Sequence, residues 1–523
     1  MLGAVLDSRL SFDHHVAVRV AKATGSLNVV RILLGAKKGL RPELARLMVM
    51  QTAGVQLMWM GAVWWKGEKA GKKMRMLESV QKEMARVICG GFRSASREAM
   101  EVEAGLQPVH LELALAHVRL ALRAAVAAPS HPLHSPARLA LAALAKGPPK
   151  HPSPLHLAFS SSLVPRNAVL ETVHAEPVAL WEPAPRVTIA VEESKERAKE
   201  VHDAVLLKVR EQDMVIFTDG SLMEQHSGSG VAVRVKRDGE LLWATRSRSL
   251  GLFQGVYQAE LEGLRLALSF LPSLIPHFAL SHVHIFADNS SAISLPFDPR
   301  PSSAQYLRFD IRQRLLELQH SHPQLSITLH WIAGHEGVEG NELADEMARR
   351  GSGDGIEAKA AAERKQGRRR GLVMPREAIE VSLSSLDDEG SLYWEEETSG
   401  VAAGRVRRGP LRPLTTGETD NEGRISGGNT MPKSAASVLP AAKAALKLQW
   451  EREWSTAPVG AALRDVDSAP PSSAFRRRLR SLPRPLASLL TRLQTDFSNL
   501  AHPLHRARLH PTGLCECGDQ DTR

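Results

Sequence analysis

Cysteine is scarce in this sequence: Cys89, Cys515 and Cys517 are the three thiols in 523 residues. So sparse and uneven a set argues against a disulfide framework and for a reducing compartment. The opening LGAVLDSRL lacks the charged-then-apolar pattern of a secretory signal, so an intracellular location, nucleus or cytoplasm, is expected. Long apolar runs are also missing. Leu47–Trp65 approaches membrane-spanning length, but Gln51, Thr52 and Gln56 interrupt it, so a buried helix of a soluble bundle is expected. No GxxxxGK[ST] phosphate loop occurs, which argues against nucleotide hydrolysis. The paired aspartates Asp387–Asp388 sit in a polar stretch with no strand before them, so DNA synthesis is not expected.

What is present is positive charge and enough apolar content for a core. The formal charge of +10 favours a polyanionic partner, nucleic acid above all, and 43% hydrophobic residues permit at least one packed domain. Residues 1–126 are rich in helix formers: Leu27, Val30, Leu33 and Leu34 recur at helical spacing, as do Leu77, Val80, Met84, Val87 and Ile88. Residues 127–200 turn to Pro, His and Ala and read as a tether with one short helix near Ala137–Ala145. Its histidines His131, His134, His151 and His156 are linker residues in this reading, not metal ligands.

Residues 201–352 carry the densest signal. MVIFTDGS is a strand-like apolar run ending in Asp219, and VHIFADNS repeats the pattern, ending in Asp288. Strands are expected at Met214–Thr218, Gly230–Val235, Leu241–Thr245, Val283–Ala287 and Ile327–Ile332. Helices are expected at Ala259–Phe270, Tyr306–Leu318 and in a last helix carrying Asp345, with Asn341 as its N-cap. The order is βββαβαβα, an α/β domain with a mixed five-stranded sheet and flanking helices.

Glu260 lies near the start of the first long helix. Asp219, Glu260, Asp288 and Asp345 thus sit at element ends where carboxylates can converge. Magnesium takes oxygen ligands and keeps several waters, so a few carboxylates plus a substrate phosphate suit it. Two such ions about 3.5–4 Å apart stabilise both the attacking and the leaving oxygen of a phosphodiester. No Cys/His cluster accompanies the acids, which argues against zinc. His335, in the Gly-flanked loop AGHEGVEGN, is placed to accept or relay a proton.

TDGS, the AEL within Tyr257–Leu261, ADNS and HWIAGHEGVEGNELAD together resemble type 1 ribonuclease H domains of the kind found in retroelements. The resemblance implies the ribonuclease H fold and Mg²⁺-dependent cleavage of the RNA strand of RNA–DNA hybrids, with Mn²⁺ able to substitute. It maps metal ligands onto Asp219, Glu260, Asp288 and Asp345, and a catalytic histidine onto His335. Ser221, Gln258, Asn289 and Asn341 fall where the family contacts the sugar–phosphate backbone, with capping and turn formation as their alternative role.

LGAVLDSRLSFDHHV, LMWMGAVWW and LESVQKEMARVICGGFRSASREAMEVEAGLQPVHLEL resemble the thumb and connection of non-LTR retrotransposon reverse transcriptases. This implies a retrotransposon-derived polyprotein fragment lacking the polymerase palm. Residues 353–440 are Gly-, Ser- and charge-rich and read as a disordered basic linker containing RKQGRRR at Arg364–Arg370. Residues 441–523 regain helical pattern, with Trp450 and Trp454 at i,i+4, and end in LCECG. That ending resembles the opening of the retroelement zinc knuckle; Cys515 and Cys517 alone do not complete a four-ligand set, so no structural zinc is expected. The leading expectation is a ribonuclease H acting on RNA–DNA hybrids, with no membrane and no obligate protein partner. The rival is a catalytically inactive nucleic-acid-binding remnant.

Overall fold

A computed structural model describes residues 3–35, 39–164, 169–175, 178, 181–223, 226–237, 240–252, 254–298, 300–334, 336–354, 380–382, 431–458, 461–464, 482–495, 505, 512 and 514. His335, Arg364–Arg370, Asp387–Asp388, Cys515 and Cys517 lie outside the described residues. The chain divides into two compact units. One comprises residues 1–124, 135–165 and 439–523, and the other residues 125–134 and 166–438.

The first unit is helical. Its longer helices are Asp13–Leu33, Lys72–Cys89, Val109–Ala125 and Ala435–Ser455, the last contributing from residue 439 onward. Leu27, Val30, Leu77, Val80, Met84, Val87 and Ile88 share one buried cluster, so the apolar stripes read from the sequence face one another. The run at Leu47–Trp65 is interrupted: a helical stretch over Pro42–Val49, Met50–Gly54 (a π segment) and Val55–Leu57 ends before the short helix Gly61–Trp64. Among the described residues no helix is long and apolar enough to cross a membrane. Trp450 and Trp454 are buried against Leu111 and Leu115. Arg484 donates to the carbonyls of Val87 and Ile88. The C-terminal stretch is thus part of the N-terminal helical unit.

The second unit is built on a sheet. Its elements are β1 (Thr188–Ala190), α1 (Lys195–Lys208), β2 (Asp213–Met223), β3 (His226–Arg237), β4 (Glu240–Leu252), α2 (Val256–Phe278), β5 (His282–Ala287), α3 (Ser290–Ser294), α4 (Gln305–Ser321), β6 (Ser326–Trp331), α5 (Glu339–Arg349) and β7 (Glu380–Ser382). The strand order is β1-β6-β5-β2-β3-β4-β7. Strands β2, β3 and β4 form an antiparallel meander, and β5 and β6 run parallel to β2.

Strand β2 is central and covered on both faces, which is why it reads as a continuous apolar run rather than an alternation. Met214 and Ile216 pack with Leu261, Leu264 and Leu268 of α2 and Ile311 of α4. Val215 and Phe217 pack on the opposite face with Val205 and Leu206 of α1 and Ala344 of α5. Helices on both faces of one sheet give the layered α/β arrangement expected from the sequence.

Three expectations need correction. The sheet has seven strands where five were expected, because three-residue strands β1 and β7 add to its edges. Three residues are too few to show a side-chain period. Helix α5 begins at Glu339 after Val338, so Asn341 lies inside the helix instead of capping it. The helix expected near Ala137–Ala145 forms as His134–Lys146, but the stretches expected as tether and disordered linker also contain helix Pro154–Phe159 and strands β1 and β7, and residues 431–438 belong to the sheet unit.

Candidate active site

The register of two parallel strands builds the site. In the pairing of β2 with β5, Phe217 lies opposite Phe286 and Thr218 opposite Ala287. The next residue of each strand is an aspartate, so Asp219 and Asp288 emerge side by side at the same sheet edge. Trp331 Nε1 donates to the Asp288 carbonyl at 2.8 Å and pins that edge. Glu260 enters from the first turns of α2. Ligand atoms of Asp219, Glu260 and Asp288 all lie within 4.8 Å of one another.

Asp345 arrives on α5, which lies directly against the meander. A Cβ added at Gly230, the β3 partner of Asp219, would sit 2.0 Å from the carbonyl oxygen of Ala344. Only glycine lets the helix settle this low, and the low seat brings Asp345 to Asp219, with which it shares a side-chain hydrogen bond. Arg349 Nη2 pairs with Asp345 Oδ2 at 2.5 Å, one helical turn on.

The electrostatics are those of a cluster of like charges out of water. Burial, then the Asp288 charge, pushes the Asp219 carboxyl up to about 8. Glu260 is driven well above the usual carboxylate range by burial and by the charges of Asp288 and Asp219. One Glu260 carboxylate oxygen, Oε2, is buried without a hydrogen-bond partner. A bare cluster of this kind favours protonation, and a divalent cation removes the same penalty by coordinating the oxygens. Three oxygen donors, an orphaned carboxylate oxygen and no thiol or imidazole among them fit a hard cation.

The remaining site residues differ in what they face. His335 is outside the described residues, but a Cβ on its neighbour Gly334 would lie 2.6 Å from Asp288 Oδ2, so that loop starts against the acids. Ser221 follows Gly220 on β2 and is half-buried. Asn289 caps α3, its Oδ1 accepting from Ser291 N at 3.0 Å and Ala292 N at 3.3 Å. Asn341 is buried, with Oδ1 unpartnered.

Gln258 is 1% exposed and engaged at both ends. Its Oε1 accepts from Gly255 N and Ser434 Oγ, and its Nε2 faces Pro432 O and Tyr306 Oη. Here the expectation of a backbone-contacting residue meets an amide spent on internal bonds. The sequence gives no local sign of this, because its partners come from far along the chain.

A second buried group went unread from the sequence. His284 Nδ1 and His330 Nε2 lie 3.0 Å apart on β5 and β6. Burial pushes His284 down to about 4 and His330 to about 3, so both stay neutral near pH 7.

Residues 211–353 match the family model described as RNase H. Among solved structures, the chain is similar to an N-terminal RNase H domain from Mycobacterium tuberculosis, solved as a fusion with maltose-binding protein. That match is at 18% identity and TM-score 0.21, covering 29% of this chain and 98% of that one. It is also similar to RNase H1 from the halophilic archaeon Halobacterium salinarum, at 16% identity and TM-score 0.20, covering 27% and 96%. A third, LC11-RNase H1 from a compost metagenome, matches at 18% identity and TM-score 0.22, covering 27% and 97%. No curated protein matches the chain. By its family match, residues 211–353 form an RNase H domain.

Proposed function

We propose that this domain hydrolyses the RNA strand of RNA–DNA hybrids, cutting internally with the help of two divalent cations, Mg²⁺ in the first place. The observation that carries the reading is the convergence of Asp219, Glu260 and Asp288 within 4.8 Å inside a domain of this family. In this mechanism those acids and Asp345 hold the cations. Bound there, the cations supply Lewis-acid stabilisation of the attacking and leaving oxygens. His335 accepts or relays a proton as the leaving group departs. Ser221, Asn289 and Asn341 contact the sugar–phosphate backbone, where the 2′-hydroxyl separates RNA from DNA. The products are a 3′-hydroxyl and a 5′-phosphate. The sequence resemblances outside the domain support an origin in a non-LTR retrotransposon polyprotein.

The test is cleavage of an RNA–DNA hybrid by the full chain with Mg²⁺, run beside Asp219→Asn, with chelator and with a DNA-only duplex as controls. Hybrid-specific, cation-dependent cleavage that disappears in Asp219→Asn is expected. Hybrid binding without cleavage by either protein would overturn the reading in favour of a non-catalytic remnant.

A further inference from the structure

We infer that Met431–Ser434, a segment outside the RNase H match, is a working part of the domain that positions the helix carrying Glu260. The family match ends at residue 353, yet the sheet unit extends to residue 438. Residues 431–434 return to the first turn of α2 and to the residues just before it. Gln254 Nε2 donates to Met431 O at 2.7 Å. Gln258 Nε2 donates to Pro432 O at 3.2 Å, and Tyr306 Oη donates to the same carbonyl at 3.2 Å. Ser434 Oγ donates to Gln258 Oε1 at 3.1 Å, from 176 residues away in sequence. Lys433 adds backbone pairing, its N donating to Val169 O at 2.8 Å and its O accepting from Glu171 N at 3.0 Å.

These bonds converge on one place. Gln258 also accepts from Gly255 N, which closes the N-terminus of α2. Glu260 follows two residues later, with one carboxylate oxygen unpartnered. The side-chain hydrogen bond that Glu260 makes is shared with Asp288, itself an acid of the cluster, and its Oε2 has no partner. Its position depends on the backbone of the first turn, and Met431–Ser434 is the element that holds that turn against Tyr306 of α4. Buried amide–carbonyl bonds of this sort are costly to leave unmade, so the segment and the turn order together. Gln258 and Ser434 act here through Glu260 as positioning residues and touch no substrate.

The inference rests on the proposed activity for one of its readouts and is independent of it for the other. In the full chain, Met431–Ser434 is replaced by Gly-Gly-Gly-Ala, which removes the Ser434 hydroxyl, the Met431 side chain packed on the core and the Pro432 ring that fixes the backbone of the acceptor carbonyls. Single-turnover cleavage of the hybrid, hybrid affinity, thermal unfolding and amide hydrogen exchange at Ala259–Leu261 are then compared with wild type. The expected result is a cleavage rate lowered about 10- to 100-fold, since small misplacements of catalytic groups have effects of that size. Hybrid affinity should stay within about twofold, because bonds internal to the domain contribute little to substrate affinity. Exchange at Ala259–Leu261 should quicken while the rest of the sheet keeps its protection.

Ser434→Thr, which keeps the hydroxyl, should restore more of the wild-type rate than Ser434→Ala. A rate unchanged in the replacement, or lowered only in step with the unfolded fraction, overturns the inference. If the wild-type chain cleaves no hybrid, the proposed function fails and exchange alone decides the present point. Faster exchange confined to Ala259–Leu261 then supports it, and unchanged exchange overturns it.

Discussion

Glu101 in the helical unit and Glu260 in the sheet unit are both nearly sealed from solvent, at 2% and 4% exposure. Around Glu101 the chain supplies its own compensation. Gln81 Nε2 donates to it at 3.0 Å, and Arg97 Nε lies 3.8 Å away. Burial still raises its carboxyl to about 8, with Arg97 pulling the other way. Around Glu260 the neighbours that shift it are other acids, Asp288, Asp219 and Asp345. Two residues along the same helix, Glu262 is 0% exposed but pairs with Arg265 at 2.6 Å and Arg248 at 3.2 Å. The difference separates a buried acid whose surroundings compensate it from one whose surroundings do not. The first meets donors and guanidinium groups; the second meets further acids, the pattern that the proposed cation site would need.

Four experiments press on that difference, in falling order of effect. Glu260→Gln should lower hybrid cleavage by about 10²- to 10³-fold, the scale for removing one preorganised electrostatic group. The same variant should melt higher than wild type in chelator at pH 7, since folding no longer has to protonate a carboxyl that is ionised in the unfolded chain. Quenched-assay kinetics and calorimetry read the two halves, and a fall in both would break the contrast. Glu262→Ala leaves Arg265 facing a buried gap, and should destabilise the sheet unit by about 3–5 kcal/mol in urea unfolding. Its folded fraction should still cut hybrids, unlike Glu260→Gln.

The third experiment uses pH. Asp219 titrates near 8 when folded and near its ordinary 3.8 when unfolded. The folded state therefore binds the proton more tightly, and stability is lost as pH rises between those values. His284 and His330 act oppositely, with folded values depressed to about 4 and about 3 from an ordinary 6.5. Their contribution is lost as pH falls below 6.5, so above it they are neutral in both states. In chelator, the melting temperature should fall from pH 6.5 to 8, and saturating Mg²⁺ or Asp219→Asn should flatten the slope. A slope untouched by either would show that the cluster carries no such strain.

The smallest effect belongs to Glu101→Gln, within about 1 kcal/mol, because the amide can keep the bond to Gln81. Cleavage should be unchanged, as read in the same kinetic assay. A large loss of activity would mean that the helical unit takes part in the chemistry.

Much of the site was legible because its acids end recognisable elements. MVIF and VHIFA are apolar strands cut off by an aspartate, and YQAELEGLRLAL is an apolar stripe with Glu260 beside it. All five strands expected from these patterns are present, and three of the four acids sit together. What stayed hidden depends on distant partners. Strands β1 and β7 are three residues each and pair with distant parts of the chain. Gln258 looked available until Pro432 and Ser434 claimed it. Trp450 and Trp454 announced a helix face but not that Leu111 and Leu115 would cover it. Local periodicity tells which face is apolar and never names the surface that meets it.

The parallel register of β2 and β5 also bears on when the acid cluster is complete. Asp219 and Asp288 are neighbours only once a crossover through α2 has closed, and Asp345 joins only after β6 and α5 have been laid down. Such non-local closure comes late in folding. A one-residue slip in β5 would turn Asp288 to the other face of the sheet. Assembly of the sheet and assembly of the acid cluster are therefore a single event, and in a half-made or misregistered chain the proposed cation site does not exist.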